Sequence, residues 1–329
     1  MISPFVEVRR ALRSLRRAVM VQTRLPIGRA PFIHARGQIN PFTLEQPVTL
    51  REAAVELAYE LDARIMAGGI DLINEMKQGG EVRHVVHIGK VARLHGIEIT
   101  REHLLIGAAA THANIERDPN VAAVFPNLPG IVSEIANVRV RAVGTVGGNI
   151  MIGNRGYDWL PILLALGAEI SFEDHEMEWY PVDVLVGDDG RWRIPHRLLR
   201  EIRIPLWGNP VLRFNRDLKP AISLAICLRS GARARTGRIA VGCVHAAPVV
   251  REVLGFDELD VVTPTIATRP ANHSITGGPR TDAIAETLGA QVAARFPKPH
   301  DDGLVGSGYR QAMMRTLSIR GLAEALENA

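Results

Sequence analysis

The first regular pattern in the chain is an apolar stripe with helical spacing. Apolar residues recur every three or four positions at Leu50, Ala53, Ala54, Leu57, Ala58 and Leu61. This spacing predicts an amphipathic helix with one buried face. Thr49 and Glu52 stand three residues apart at its start, as in a capping box, so the helix is expected to begin just after Thr49.

Short apolar runs and further helical patterns alternate along the next part of the chain. The runs RIMAGG, VVHIGK, HLLIG, EISFE and LLREIRIPL predict strands. The stretches DLINEMKQGG, FPNLPGIVSEIANVRV and WLPILLALGA predict helices, the second of them opened by Pro129. Thr111 follows the HLLIG run, where its hydroxyl can cap the next helix.

The pattern changes near residue 210. AISLAICLRSG and RIAVGCVHAAPVV predict paired apolar strands, and helices are predicted around 282–294 and 309–327. The fold class is therefore α+β. We expect two blocks at about 41–90 and 91–206, followed by a separate α+β domain at 207–329.

Two glycine-rich stretches interrupt these patterns, AGGIDL at 67–72 and GTVGGN at 144–149. Each is expected to follow a strand. Glycine reaches positive φ and has no Cβ, so such a loop can present successive backbone N–H groups to an anionic oxygen. A diphosphate is the natural ligand, and Thr145 and Asn149 can add side-chain donors. A single such loop is more often a plain turn, and neither has G-x-G-x-x-G or P-loop spacing.

Positive charge is concentrated in an N-terminal arm, residues 1–40. The formal net charge is +4, and this arm contains eight arginines and a single acidic residue, Glu7. Basic residues are not interleaved with aromatic ones across a domain, so nucleic acid is not an expected partner. The arm is expected to be solvated or bound to a partner, with a targeting segment or a true start at Met20 as the alternatives.

The overall composition is that of an ordinary globular protein, with 47% hydrophobic and 22% charged residues. The chain lacks a run of about 18 apolar residues, so no membrane span is expected. Cys227 and Cys243 lie in strand-like runs and are expected to be buried thiols in a reducing, cytoplasmic compartment. They cannot hold an iron–sulfur cluster alone, and the histidines lack metal-site spacing. Neither a bound metal nor a catalytic side chain is predicted.

With their surroundings, the two glycine stretches resemble the FAD-binding medium subunits of molybdenum hydroxylases. That family includes carbon monoxide dehydrogenase, xanthine dehydrogenase and 4-hydroxybenzoyl-CoA reductase. The resemblance runs from about residue 40 to 327. It rests on ordered motifs that are present here as AGGIDLINEMKQGG, GAAATHAN, RAVGTVGGN, REIRIP and the closing S-x-Y-R-x-x-M at Ser307.

The resemblance implies a two-subdomain, PCMH-like FAD-binding domain over 41–206, followed by the C-terminal domain. FAD is then expected to lie extended between the two blocks, with its diphosphate held by both glycine loops. Asp158 is expected to meet a hydroxyl-type donor of the cofactor, to cap the helix that follows it, or both. The implied FAD-binding residues are Met66, Ala67, Gly68, Gly69, Ile70, Asp71, Leu72, Thr111, Ile135, Gly144, Thr145, Val146, Gly147, Gly148, Asn149, Asp158 and Leu199.

The resemblance also implies a role as an oxidoreductase subunit that transfers electrons. A large partner subunit is expected to carry the molybdenum cofactor, and a small partner is expected to carry [2Fe–2S] clusters, in a dimer of heterotrimers. FAD in this chain would pass the electrons to an external acceptor.

Some residues depart from the family pattern. Ile70 replaces a threonine, GNRGYD at 153–158 replaces the common loop, and Asn215 stands where a lysine is expected, with Lys219 nearby. These departures leave open a bridging subunit that has lost FAD. A stand-alone FAD oxidase of the vanillyl-alcohol type also stays open, because such oxidases share the two-block FAD architecture.

Overall fold

The computed structural model describes residues 39–60, 62–173, 178–186, 192–216, 221–230, 235–245, 247–252, 279–299 and 305–327. Most of the predicted N-terminal arm lies outside these residues, and so does Lys219. The described residues from Ile39 onward form one compact unit. Three sheets combine with helices among these residues, as expected of an α+β protein.

The described strands are short in the first half of the chain and longer in the second. They are β1 (Thr43–Glu45), β2 (Arg64–Met66), β3 (His84–His87), β4 (Ile97–Ile99), β5 (His103–Gly107), β6 (Glu169–Phe172), β7 (Trp179–Pro181), β8 (Leu199–Pro205), β9 (Asn209–Arg216), β10 (Ser223–Ser230), β11 (Arg235–Gly242) and β12 (Val249–Glu252).

The described α-helices are mostly short, apart from the two at the C-terminal end. They are α1 (Leu50–Tyr59), α2 (Ile70–Lys77), α3 (His112–Arg117), α4 (Pro119–Val124), α5 (Leu128–Ser133), α6 (Val138–Val143), α7 (Val146–Met151), α8 (Trp159–Leu166), α9 (Pro279–Ala294) and α10 (Ser307–Leu326). None of these helices combines the length and apolar character that a membrane crossing needs.

The first sheet is parallel, with strand order β1-β3-β2. Its helix α1 begins as predicted, because Thr49 Oγ1 accepts the Glu52 N–H at 3.2 Å. The Glu52 carboxylate accepts from the Val48 N–H at 3.0 Å, rather than from Thr49. β2 runs through two glycines into α2, which packs Leu72 and Met76 into a small core. The first glycine stretch therefore joins a strand to a helix.

The second sheet is antiparallel, with strand order β4-β5-β8-β6-β7. It contributes Leu104, Ile106, Ile202 and Ile204 to the largest hydrophobic core. Helix α8 belongs to the same core, and all of its residues are buried. It ends where Gly167 takes the left-handed conformation at φ +66°, which glycine adopts without steric cost.

The third sheet is antiparallel, with strand order β12-β11-β10-β9. Alternate residues of β10 enter different cores: Ala225 and Cys227 join the core around α8, whereas Leu224, Ile226 and Leu228 join the core under α9 and α10. Burial on both faces explains why the predicted strand is almost continuously apolar rather than alternating.

Two predictions for the segment 125–149 are wrong in detail, one about a helix and one about a strand. The stretch FPNLPGIVSEIANVRV forms α5 and α6 rather than one helix. The chain breaks between them at Ala136, which has φ +51°, and Asn137 begins α6 by accepting two backbone N–H groups. The second glycine stretch follows α6 rather than a strand. Gly147 and Gly148 themselves lie inside α7.

Candidate functional site

The first glycine loop ends in an open helix start. Gly69 takes the left-handed conformation, with φ +75°, and is followed directly by α2. The backbone N–H groups of Ile70, Asp71 and Leu72 occupy the first turn, so they have no intrahelical acceptor. Among the residues that the structure describes, no side chain caps this turn. The helix start therefore presents uncapped donors and a positive dipole end, which together suit an anionic ligand.

The two glycine stretches touch each other. A Cβ atom on Gly68 would lie 1.9 Å from the carbonyl oxygen of Val143 and 3.0 Å from Cα of Gly144. Real Cβ atoms do not approach a backbone carbonyl so closely, so this contact requires glycine at position 68. The structure thus brings the predicted clamps of residues 66–72 and 144–149 together.

The second glycine loop does not present a row of free amides. Val146 N–H donates to Ala110 O at 3.1 Å, and Gly147 N–H donates to Ala108 O at 3.0 Å. The two amides that follow donate to Thr145: Gly148 N–H to Oγ1 at 3.1 Å and Asn149 N–H to the carbonyl oxygen at 3.0 Å. The prediction of an open amide cradle is therefore wrong for these four residues, because the fold itself uses their N–H groups.

The glycines of this second loop instead permit close packing. A Cβ on Gly147 would lie 2.5 Å from the carbonyl oxygen of Ala108, and one on Gly148 would lie 2.9 Å from Thr145 Oγ1. A Cβ on Gly144 would lie 3.2 Å from the imidazole Nε2 of His112. The loop therefore lies directly against the end of β5 and the start of α3.

Thr111 and Thr145 are linked across these loops by an isolated antiparallel bridge. Thr111 caps α3 as predicted, since its Oγ1 accepts the Asn114 N–H at 3.1 Å. His112 N–H donates to Gly144 O at 2.9 Å. These bonds fix the second loop to the residues that join β5 to α3. The first loop contacts the second at Gly68 and Gly144.

His112 is held as a neutral base within the core. It is 3% exposed, and its Nδ1 accepts from the indole N–H of Trp159 at 2.9 Å. Burial, and secondarily the positive charge of Arg141, lowers the pKa of His112 to about 4. An indole N–H can only donate, so the imidazole proton resides on Nε2, the atom that faces Gly144.

Asp158 is the buried carboxylate of the site. It is 2% exposed, and Oδ2 lies 2.5 Å from Nη1 of Arg216 on β9. Burial raises the pKa of this carboxyl, while the charge of Arg216 and its hydrogen bond oppose the rise. Oδ1 is buried and has no hydrogen-bond partner among the described residues. A buried acceptor of this kind calls for a donor, which a cofactor hydroxyl can supply.

The predicted capping role of Asp158 is wrong. Its side chain makes no capping bond to α8. Asn149 takes that role instead, because its Oδ1 accepts the Trp159 N–H at 3.4 Å. The second glycine loop thereby supports the start of α8, and the Asp158 carboxylate stays available for Arg216 and for a ligand.

We expect Arg216→Met to lower the free energy of unfolding by about 2 kcal/mol, because it leaves the buried Asp158 carboxylate without its cation. Urea unfolding measures this loss. The double variant Arg216→Met/Asp158→Asn should regain at least half of it, since the buried charge is then also removed. A double variant as unstable as the single one would contradict this account.

The remaining predicted residues have varied environments. Met66, Ala67 and Ile70 are half-buried around the first loop. Ile135 and Leu199 are 4% and 3% exposed within the largest core, where protein side chains already cover them.

Sequence reasoning missed two contacts of the site. It considered Asn215 as the position of an expected lysine, whereas the cation that reaches Asp158 is the next residue, Arg216. It also treated Tyr157 only as part of the GNRGYD segment that departs from the family pattern, whereas the Tyr157 hydroxyl donates to a carboxylate oxygen of Asp71 in the first loop. Long-range contacts of this kind leave no local pattern in the sequence.

Residues 40–207 match the family described as the FAD binding domain in molybdopterin dehydrogenase, over more than half of the chain. The chain belongs to this family. It is an FAD-binding medium subunit of the molybdenum hydroxylases and thus an oxidoreductase subunit. The uncapped α2 amides fit the phosphate groups of FAD, and the Gly68 contact places the second loop beside them. Asp158 Oδ1, which has no partner among the described residues, fits a hydroxyl group of FAD.

Two curated relatives resemble this medium subunit. The nicotine 6-hydroxylase medium subunit of Paenarthrobacter nicotinovorans is 26% identical over 225 residues, which cover 65% of this chain and 80% of the relative. The carbon monoxide dehydrogenase medium chain of Hydrogenophaga pseudoflava is 26% identical over 309 residues, which cover 86% of this chain and 96% of the relative.

A solved structure shares the fold of this medium subunit. Quinoline 2-oxidoreductase from Pseudomonas putida 86 superposes with a TM-score of 0.73 at 21% identity, over 89% of this chain and 99% of that one. The predicted family, the α+β fold class and FAD as the cofactor are therefore confirmed. The assignment of individual residues to FAD stays a prediction.

Proposed function

We propose that this medium subunit carries FAD in a heterotrimeric molybdenum hydroxylase and passes electrons to an external acceptor. A large partner would contain the molybdenum cofactor and a small partner the [2Fe–2S] clusters, in a dimer of heterotrimers. The names of the relatives, a medium subunit and a medium chain, support an assembly of several subunits. Bound FAD would supply the redox chemistry, since it exchanges single electrons with clusters and pairs with an acceptor.

The contact between the two glycine stretches at Gly68 carries this proposal. It places the uncapped first turn of α2 beside the second loop, so that one diphosphate can bind the amides of Ile70, Asp71 and Leu72. The residues of the chain would bind and orient the cofactor. A catalytic side chain is not part of the proposal.

Asp158 would bind the same cofactor, and Arg216 would hold the Asp158 carboxylate in place. Asp158 Oδ2 is engaged by Arg216, which leaves Oδ1 to accept from an FAD hydroxyl. Arg216 lies on β9, so the C-terminal sheet would help to orient a residue of the FAD site. We place the complex in the cytoplasm, in keeping with the two free, buried cysteines.

The test is to purify the chain alone and titrate it with FAD. We expect a yellow protein with about one FAD per chain, because the uncapped α2 amides can bind its phosphates and Asp158 Oδ1 can accept from its hydroxyl. Flavin absorbance and quantitation of flavin released by denaturation measure the stoichiometry.

A folded chain that stays colourless in excess FAD would overturn the cofactor role and favour the bridging subunit. Partner subunits should be recovered when the chain is purified from its native source. A flavin-loaded chain that is always recovered without partners, and that oxidises substrate by itself, would favour the stand-alone oxidase instead.

A further inference from the structure

A tyrosine–carboxylate bond joins the supports of the two glycine loops. The Tyr157 hydroxyl donates to Oδ1 of Asp71, although the two residues lie 86 positions apart. Asp71 belongs to the first glycine loop and lies in the first turn of α2. Tyr157 lies between α7 and α8, eight residues beyond Asn149 at the end of the second loop. The bond therefore holds the first loop to the segment that follows the second one, in addition to the contact at Gly68.

The Tyr157 side chain is delivered by an ordered turn. Asn154 Oδ1 accepts the Gly156 N–H at 2.9 Å, and the Tyr157 N–H donates to Asn154 O at 3.1 Å. The carbonyl oxygen of Arg155 accepts the Cys243 N–H at 3.2 Å, which ties the turn to the end of β11. The next residue, Asp158, is held by Arg216. A hydroxyl on so firmly held a turn can restrain the helix that it contacts.

The chemistry of the pair keeps the phenol as a donor. Burial, and then the hydrogen bond to Asp71 and its negative charge, raises the pKa of Tyr157 far above its ordinary value. The phenol therefore stays protonated over the whole physiological range. Hydrogen bonds to an ionised carboxylate are stronger than those between neutral groups.

The open helix start is thus held at two points. On one side, Gly68 rests against the peptide between Val143 and Gly144. On the other side, Asp71 is held by Tyr157. The uncapped amides that begin at Ile70 belong to the same short segment. Any motion that separates the first loop from the segment carrying Tyr157 breaks the Tyr157–Asp71 bond.

We propose that Tyr157 is a positioning residue whose bond to Asp71 clasps the two glycine loops around FAD and slows its release. This inference rests on the proposed FAD-binding function. Tyr157 acts through Asp71, and Asp71 in turn holds the start of α2. The bond acts at Asp71, directly beside Ile70, where the uncapped amides begin.

The test compares FAD release from the full chain and from Tyr157→Phe. The variant loses only the hydroxyl, and we expect its release rate to rise about tenfold, as for one hydrogen bond to a charged group. Release is followed by the rise of flavin fluorescence after large dilution into buffer, where the released FAD is too dilute to rebind. Tyr180→Phe is the matched control, because the Tyr180 hydroxyl donates to Glu178 at 2.6 Å on an exposed edge. Its release rate should equal that of the wild type.

A double-mutant cycle separates the clasp from a general structural effect. Asp71→Asn keeps an acceptor oxygen but removes the charge, so release should be accelerated less than in Tyr157→Phe. The double variant should release FAD no faster than Tyr157→Phe alone, because both changes weaken one bond. Fully additive effects, or equal release from Tyr157→Phe and the wild type, would overturn the clasp.

The two proposals fail in different ways. If the wild-type chain binds no FAD, the proposed function fails before the clasp is tested. If the wild type binds FAD and only the Tyr157 comparison shows no change, the clasp alone is wrong. Should Tyr157→Phe fold poorly, Asp71→Asn against Tyr180→Phe gives the same comparison, with circular dichroism as the check on folding.

Discussion

Gly68→Ala is expected to weaken FAD binding at least a hundredfold. The new methyl group would lie 1.9 Å from Val143 O and 2.6 Å from Val143 C. Both are backbone atoms, so no side chain can rotate away, and the two glycine loops must move apart. Overpacking of this kind costs about 3 kcal/mol. Titration of the purified variant with FAD, followed by flavin fluorescence, measures the change in Kd.

Gly130→Ala provides the control for this substitution. A Cβ at Gly130 meets no atom within 4 Å, and the residue lies inside α5, where alanine is the better helix former by about 1 kcal/mol. We expect wild-type FAD affinity and equal or slightly greater stability. If Gly68→Ala bound FAD as tightly as Gly130→Ala, the two loops would not form one binding site.

The stability of the protein is expected to fall by about 3 kcal/mol between pH 7 and pH 4 through His112 alone. The folded state lowers the pKa of His112 to about 4, mainly by burial, whereas the unfolded chain has the ordinary value near 6.5. Between these values the unfolded chain binds a proton that the folded protein does not bind. The contribution is therefore complete above about pH 6.5 and is lost as the pH falls toward 4.

The measurement is urea unfolding near pH 7 and near pH 4 for the wild type and His112→Asn. An asparagine oxygen can still accept from Trp159 but binds no proton, so this variant should lose about 3 kcal/mol less over the same range. His103→Asn, on β5, is the control and should keep the full pH dependence. An unchanged slope in His112→Asn would show that His112 does not stay neutral in the fold.

Local features of the site could be predicted from the sequence. Thr111 caps its helix, and the first glycine stretch joins a strand to a helix, because both features depend on residues within one turn. Gly68 was predicted only as one member of the FAD clamp, whereas the structure requires glycine there because of its contact with Val143 in the segment before the second loop.

Features that depend on distant residues could not be predicted. Two amides of the second glycine stretch, those of Val146 and Gly147, donate to Ala110 and Ala108, which only the folded arrangement brings near. Arg216 reaches Asp158 across 58 positions, and Tyr157 reaches Asp71 across 86. No periodicity or motif records such pairs, since the two partners belong to different segments of the chain.

Helix α8 has a consequence for how the chain can be divided. The family match ends at residue 207, yet α8 packs on β10 and β11, which come later in the chain. Cutting the chain at that boundary would remove β10 and β11 from α8 and expose its apolar side chains to water. Strands that come after residue 207 thus complete the core around α8, and a chain cut at that residue would aggregate.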